Sequence, residues 1–226
     1  MIKNLVLPFR APLLMAVLVS GVGMYGCSKV NMPDEVVRAY QRATQLNPTL
    51  AEARYNLGMA YYNRSMIDEA FAELKKAVEI NPKYTDALFY LGMIHVRKGL
   101  PDKAIATFKS VIQLDPNHEL AHKKLGILYS SKGMFDDAIH EFERVVELNQ
   151  KDAVTQYALA EAHLGKNAGD EAMCAFKKAI EINPNYAEAH FRLGQISLDK
   201  TLLDEAQAEF TKATDINPHY AAAFYY

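Results

Sequence analysis

Hydrophobic and polar positions recur along this chain at a fixed interval. The segments MPDEVV, MIDEAF, LPDKAI, MFDDAI, AGDEAM and LLDEAQ set Asp34, Asp68, Asp102, Asp136, Asp170 and Asp204 at intervals of 34. Self-similarity at one period of this size marks a repeat architecture. A second series keeps the phase: Pro48, Pro82, Pro116, Pro184 and Pro218, with Gln150 in the remaining place. Asp ahead of an amphipathic run predicts a helix start, where its carboxylate accepts from first-turn amides. The acid that follows it in most copies suits the positive end of the helix dipole. Pro after Asn or Asp cannot continue the preceding helix and presets the turn into the next. Each unit is therefore predicted to be two helices joined by a short turn.

With Ala51 as the first place, the seventh holds Leu57, Leu91, Leu125, Leu159 and Leu193, and the eighth holds Gly58, Gly92, Gly126, Ala160 and Gly194. A small eighth residue predicts close approach of the two helices. The twentieth place is Ala70, Ala104, Ala138, Ala172 and Ala206, and the twenty-fourth is Leu74, Phe108, Phe142, Phe176 and Phe210, so small is expected to face large. Five full units follow, 51–84, 85–118, 119–152, 153–186 and 187–220, preceded by a half unit at 33–50. The half unit keeps Asp34, Tyr40, Ala43 and Pro48 in phase, with Val36 where Ala is usual. Gln150 and Ala160 mark the most divergent stretch, where a looser turn is expected. Residues 221–226 read as the start of an incomplete repeat, with Tyr225 at its fifth place. Solenoids normally end in a polar capping helix, so this tail is expected to be a truncated end, or an open one covered by a partner or by end-to-end self-association.

The stretch AEARYNLGMAYYNRSMIDEAFAELKKAVEINPKY resembles a tetratricopeptide repeat in its Leu-Gly pair, its Ala at places twenty and twenty-seven, and its Pro at thirty-two. The resemblance implies an all-α, right-handed solenoid of antiparallel helix pairs whose first helices line a concave channel for peptides. It implies that the second, fifth, ninth and twelfth places face the channel, with groove residues at the fifth, Tyr55, Phe89, Lys123, Tyr157 and Phe191, and at the ninth, Met59, Met93, Ile127, Glu161 and Gln195, and Asn56 beside them. An apolar, Met-containing groove suits an amphipathic helix or an extended apolar segment. The competing reading makes these rings core between neighbouring helices. The family's carboxylate clamp finds only fragments in Asn56, Lys123, Lys124 and Arg192, and its asparagine ladder is broken by Tyr90, Lys124, Ala158 and Arg192.

Composition narrows the chemistry. The chain has 226 residues, 50% hydrophobic and 23% charged, enough for a sizeable core, and a formal charge of −2 with pI about 6.4. There is no basic excess of the kind that neutralises phosphates, so nucleic acid is not expected as a partner. Two cysteines, Cys27 and Cys174, support neither a disulfide framework nor a CxxC pair. Cys174 is expected to be a small packing residue.

The first residues carry Lys3 and Arg10, then an apolar stretch from Ala11 to about Val22, then small residues up to Cys27. This is the layout of a secretory signal over residues 1–26, and its apolar run is shorter than the roughly 20 residues of a spanning helix. MYGC resembles a bacterial lipoprotein processing site, with Gly26 before the lipid-bearing Cys27, while Met24 and Tyr25 depart from the usual residues. Processing there would leave a tether at 27–32 and take the formal charge from −2 to −4, since Lys3 and Arg10 are lost and no acid is. The expected location is the bacterial cell envelope, facing the periplasm.

HELAH at 118–122 satisfies the HExxH pattern, in which His118 and His122 would ligate zinc and Glu119 would act as base. Repeat phase accounts for both histidines, since His118 falls where Tyr84, Tyr186 and Tyr220 stand and His122 where Arg54 and His190 stand. No phosphate loop, nucleophile elbow or paired catalytic carboxylates appear, so neither a cofactor nor a metal is expected. The expected function is a non-catalytic, membrane-tethered scaffold that recruits a protein or peptide. The alternative is a regulatory or substrate-recruiting arm of an enzyme whose catalytic part is absent from this sequence.

Overall fold

The structure, a computed structural model, describes residues 33–220, which form eleven helices and no strand. They are α1 (Asp34–Leu46), α2 (Ala51–Asn63), α3 (Ile67–Ile80), α4 (Thr85–Arg97), α5 (Pro101–Leu114), α6 (Glu119–Ser131), α7 (Phe135–Leu148), α8 (Ala153–Gly165), α9 (Gly169–Ile182), α10 (Ala187–Asp199) and α11 (Leu203–Ile216). Each of the five full units contributes a first helix (α2, α4, α6, α8, α10) and a second. Every first helix packs on the second helix of its own unit and on that of the unit before, which stacks the pairs into an all-α helical-repeat solenoid.

The turn inside each unit is a Schellman closure. Residues Ser65, Gly99, Gly133, Asn167 and Thr201 all take left-handed φ between 60° and 72°. The amide that follows each of them bonds back to the carbonyl five residues earlier, as in Met66 to Tyr61 and Leu202 to Ser197 at 2.8–3.0 Å. The turn between units uses Asn or Asp: the side chains of Asn81, Asp115, Asn149, Asn183 and Asn217 each accept from the amide two residues on, at 3.1–3.3 Å. At Gln150, which stands in the proline position, that bond is longest, with Lys151 N to Asn149 Oδ1 at 3.3 Å, and the backbone bond of the same turn, 3.0–3.1 Å in the other four, lengthens to 3.4 Å from Asp152 N to Asn149 O.

Close approach within a pair rests on the eighth place. A Cβ added at Gly92 or Gly126 would lie 2.6 Å from the ring of Phe108 or Phe142, and both rings are fully enclosed. Ala160 fills the same place in α8 and is itself completely buried, so that unit accommodates one more carbon.

The repeated aspartates have a different job from the one their position predicts. The residue before each second helix is Met66, Leu100, Met134, Ala168 or Leu202, and none of these makes a side-chain cap. Asp68 and its equivalents lie in the first turn of the helix, where their charge still suits the dipole, and the carboxylates of Asp34, Asp68, Asp102, Asp136 and Asp170 reach out of the unit. Asp34 binds Arg64 and Asp68 binds Lys98, both at 2.5 Å; Lys132–Asp102, Lys166–Asp136 and Lys200–Asp170 repeat the pair. Each cation closes the first helix of the following unit, so the aspartates form an inter-unit ladder along one edge of the stack. With the carboxylates mostly in solvent, each pair adds little to stability.

A second device clips the inter-unit turn to the helix pair in alternate units. Arg54 donates to Glu73 at 2.7 Å and to the Pro48 carbonyl at 3.4 Å. His122 stands 2.6 Å from Glu141 and 3.0 Å from the Pro116 carbonyl, and His190 contacts Glu209 and the Pro184 carbonyl in the same way. Cys174 departs from the expected packing role: it is exposed on α9. The buried face of that helix is carried by Ala172, Ala175, Phe176 and Ala179, and Cys174 falls outside it.

The signal segment 1–26, Cys27, the tether 27–32 and the tail 221–226 lie outside the described residues. No helix among the described residues is long and apolar enough to cross a membrane.

Candidate functional site

The fifth-place side chains project from the first helices and each meets the thirty-fourth-place residue of its own unit. Tyr55 lies 4.9 Å from Tyr84, Phe89 5.0 Å from His118, Tyr157 5.1 Å from Tyr186 and Phe191 5.0 Å from Tyr220, as ring-centroid distances. Three of the same rings also touch the twenty-fourth-place phenylalanine: Phe89–Phe108 at 5.6 Å, Tyr157–Phe176 at 5.3 Å and Phe191–Phe210 at 5.7 Å. The fifth-place ring thus bridges core and turn. Phe89 is buried, whereas Tyr55, Tyr157 and Phe191 keep part of their surface in solvent.

The third unit changes both partners together. Lys123 replaces the ring at the fifth place and Asp152 the ring at the thirty-fourth, and they pair at 2.6 Å with both side chains largely covered. Asp152 also accepts from the amides of Val154 and Thr155 at 3.0 and 3.1 Å and from the Thr155 hydroxyl at 2.7 Å, capping α8. Burial raises the Asp152 pKa, but the bonds from Lys123 and Thr155 outweigh it and hold the carboxyl below its ordinary value.

The other predicted groove residues spread over the same side of the stack. Asn56, Met59 and Met93 are half-buried and Ile127 is 46% exposed. Glu161 is bound by Arg192 at 2.8 Å, and Arg192 also donates to Gln195 at 3.2 Å. Two of the basic fragments of the family's clamp, Lys123 and Arg192, are therefore already engaged by carboxylates of this chain. The second place, which also faces this side, adds residues the groove set left out: Leu120 and Val154 are 51% and 55% exposed. Leu120 and Ile127 share one face of α6 by helical spacing and Val154 holds the place of Leu120 on α8, an apolar patch in which each side chain keeps about half its surface exposed.

Towards the first two units the face becomes aromatic. Tyr55 lies 6.3 Å from Tyr90, Tyr90 lies 5.4 Å from Tyr62 edge-on, and the Arg97 guanidinium sits 4.6 Å above the Tyr62 ring. Tyr62, Tyr84 and Tyr90 were also outside the groove set. Their sequence signal is visible in hindsight, since five of the thirteen tyrosines of the chain fall between residues 55 and 90. Burial, followed by the nearby carboxylates Glu52 and Asp86, pushes the Tyr84 phenol up to about 12. Burial also raises Tyr55 and Tyr90, with Asp86 adding to both. These phenols stay protonated at neutral pH.

The HELAH segment is part of the turn clip. Both ring nitrogens of His122 are taken, by Glu141 and the Pro116 carbonyl, and His118 Nδ1 accepts from the Ala121 amide at 3.2 Å at the start of α6. His190 makes the same two contacts with no HExxH around it. Among the described residues no group of three or more His, Cys, Asp or Glu side chains is arranged to hold a metal ion. His95, at the eleventh place, lies against Phe71 with centroids 5.7 Å apart and is half-buried, as a ring in that position should be.

Comparison with known families matches the tetratricopeptide repeat at residues 64–128, at 34–65 and 166–200, and at 124–152 and 187–220. Among solved structures, YrrB, described as a tetratricopeptide-repeat protein with an unusual peptide-binding site, aligns at TM-score 0.76 and 22% identity over 84% of this chain and 97% of its own. MamA aligns at TM-score 0.69 and 28% identity over 74% of this chain and 97% of its own. A segment of MamA from Desulfovibrio magneticus RS-1 aligns at TM-score 0.69 and 24% identity, over 75% and 96%. At 22% and 24%, YrrB and the Desulfovibrio protein speak for the fold alone. Curated protein sequences give no match.

Proposed function

We propose that this chain, which is built of tetratricopeptide repeats, is a non-catalytic scaffold that captures a segment of another protein on the face formed by its first helices. The observation that carries this reading is the apolar patch of Leu120, Ile127 and Val154, 51%, 46% and 55% exposed, set among half-buried Met93 and Tyr157. Contiguous exposed apolar surface of this kind marks interaction sites. Met and aromatic edges adapt to an amphipathic or extended apolar segment. Phe89 belongs more to packing than to capture, so the exposed trio is the place to perturb. Changing Leu120, Ile127 and Val154 together to Ser should abolish recovery of a partner from detergent-solubilised envelope and leave the melting temperature within a few degrees. Unchanged recovery would reject the face.

The scaffold acts, in this reading, from a bacterial membrane, held by lipid on Cys27, and helps assemble an envelope complex. Its support is the sequence pattern of Lys3, Arg10, the apolar run and Gly26-Cys27. Several acyl chains hold a protein stably at a bilayer where one gives only marginal binding. Cys27→Ser should move the protein from the membrane to the soluble fraction and abolish incorporation of labelled fatty acid. Labelling that persists in the variant would refute the anchor.

A further inference from the structure

The aromatic end of the binding face carries a feature that a purely apolar groove does not explain. Glu52 and Asp86, at the second place of the first two units, are exposed, and among the described residues neither is in an ion pair. Further along, the charges of the same face are matched internally: Lys123 with Asp152 and Glu161 with Arg192. In the third and fourth units Leu120 and Val154 replace the second-place acids. The acid returns in the fifth unit as Glu188, alone beside Tyr220, whereas Glu52 and Asp86 are two consecutive acids beside the half-buried rings of Tyr55, Tyr84 and Tyr90. Tyr62, in the same cluster, already holds a guanidinium 4.6 Å over its face.

We infer that the surface formed by Tyr55, Tyr84 and Tyr90 with Glu52 and Asp86 is a subsite for a cationic side chain. The bound segment would present Lys or Arg there and run on with apolar residues toward Leu120, Ile127 and Val154. This rests on the proposed binding face and gives its occupant a chemistry and a direction. Ring faces attract a cation through their quadrupole, most strongly when water is displaced. The two carboxylates supply the net charge that rings alone lack, and a guanidinium can use the carboxylates and the ring faces at once. An acidic or neutral segment would leave Glu52 and Asp86 facing like charge or apolar surface, a mismatch that opposes binding.

The test uses the full chain in detergent, a displayed library of random twelve-residue peptides, and two variants: Glu52→Gln/Asp86→Asn, and the Leu120/Ile127/Val154 serine triple. Peptides whose capture requires the apolar trio should be enriched in Arg or Lys toward one end. For the synthetic form of the most enriched peptide, Glu52→Gln/Asp86→Asn should weaken binding by about tenfold. Replacing its basic residue by Gln should weaken binding by a similar factor, with little further loss when both changes are combined. Peptides that need the trio but show no basic enrichment, or that bind the Glu52→Gln/Asp86→Asn variant equally well, would overturn the cation subsite and leave the binding face standing. A library that yields no trio-dependent peptide would overturn both.

Discussion

Removing Asp152 should separate two contributions that the other units do not combine. Its carboxylate pairs with Lys123 at 2.6 Å and caps α8 through the amides of Val154 and Thr155. Asp152→Asn keeps an oxygen for the two amides, since Asn caps as well as Asp, and removes only the charge. Lys123 is 23% exposed at its side chain and can turn to water, so the loss is that of a partly covered ion pair, about 1 kcal/mol. Asp152→Ala removes the cap as well, adding about 1 kcal/mol. For a domain of this size a loss of about 2 kcal/mol lowers the melting temperature by roughly 4–8 °C. The pH dependence has a definite sign. The folded-state pKa of Asp152 is depressed, so its contribution is fully present above the unfolded carboxyl value and is lost as pH falls through the folded one. Urea unfolding of wild type, Asp152→Asn and Asp152→Ala at pH 7 and again at pH 3 should show the gap between wild type and Asn closing in acid. Equal losses for Asn and Ala at pH 7, or a gap that widens in acid, would refute the assignment.

Three further outcomes follow from the packing. Gly126→Ala gains about 1 kcal/mol of helix propensity but drives a carbon to 2.6 Å from the immobile Phe142 ring, at an overpacking cost of about 1–3 kcal/mol. Net loss in denaturant melts is expected, and a stabilised variant would contradict the close approach. Thr201→Gly should stabilise by about 1 kcal/mol, because a β-branched residue is held at φ 62° where glycine is unstrained; a lowered melting point would refute this. His190→Arg should cost less than His190→Ala, which leaves Glu209 with Lys212 alone and the Pro184 carbonyl without its contact, since Arg54 makes the same clip in the first unit. Equal losses for the two would show that the clip does not depend on a donor there.

Much of this fold is legible from period alone because a repeat presents each physical requirement several times. The Gly or Ala at the eighth place and the Phe at the twenty-fourth predict contact, and Gly92 against Phe108 shows it. The repeated Asp misleads. Its place ahead of an amphipathic run suits a cap, yet the helix begins one residue earlier and the carboxylate turns to the next unit. The partner was present in the sequence, since Arg64, Lys98, Lys132, Lys166 and Lys200 keep the same interval of 34. The paired change of fifth and thirty-fourth places, rings in four units and Lys123 with Asp152 in one, was equally readable. How far each fifth-place ring is covered was not, because helical spacing gives a face and coverage depends on what the following turn brings against it. The second place was readable as channel-facing, but that Leu120 and Val154 keep about half their surface exposed depends on what the described residues pack against them.

Chemical-shift mapping tests the central claim most directly. Isotope-labelled protein in detergent would be titrated with the library peptide that binds most tightly, and backbone amides followed throughout the stack. The account predicts that shifts concentrate on α2, α4, α6 and α8, near Asp86, Tyr90, Ile127 and Val154, and vanish in the serine triple. Shifts confined to the second helices, or unchanged in the triple, would contradict a binding face on the first helices.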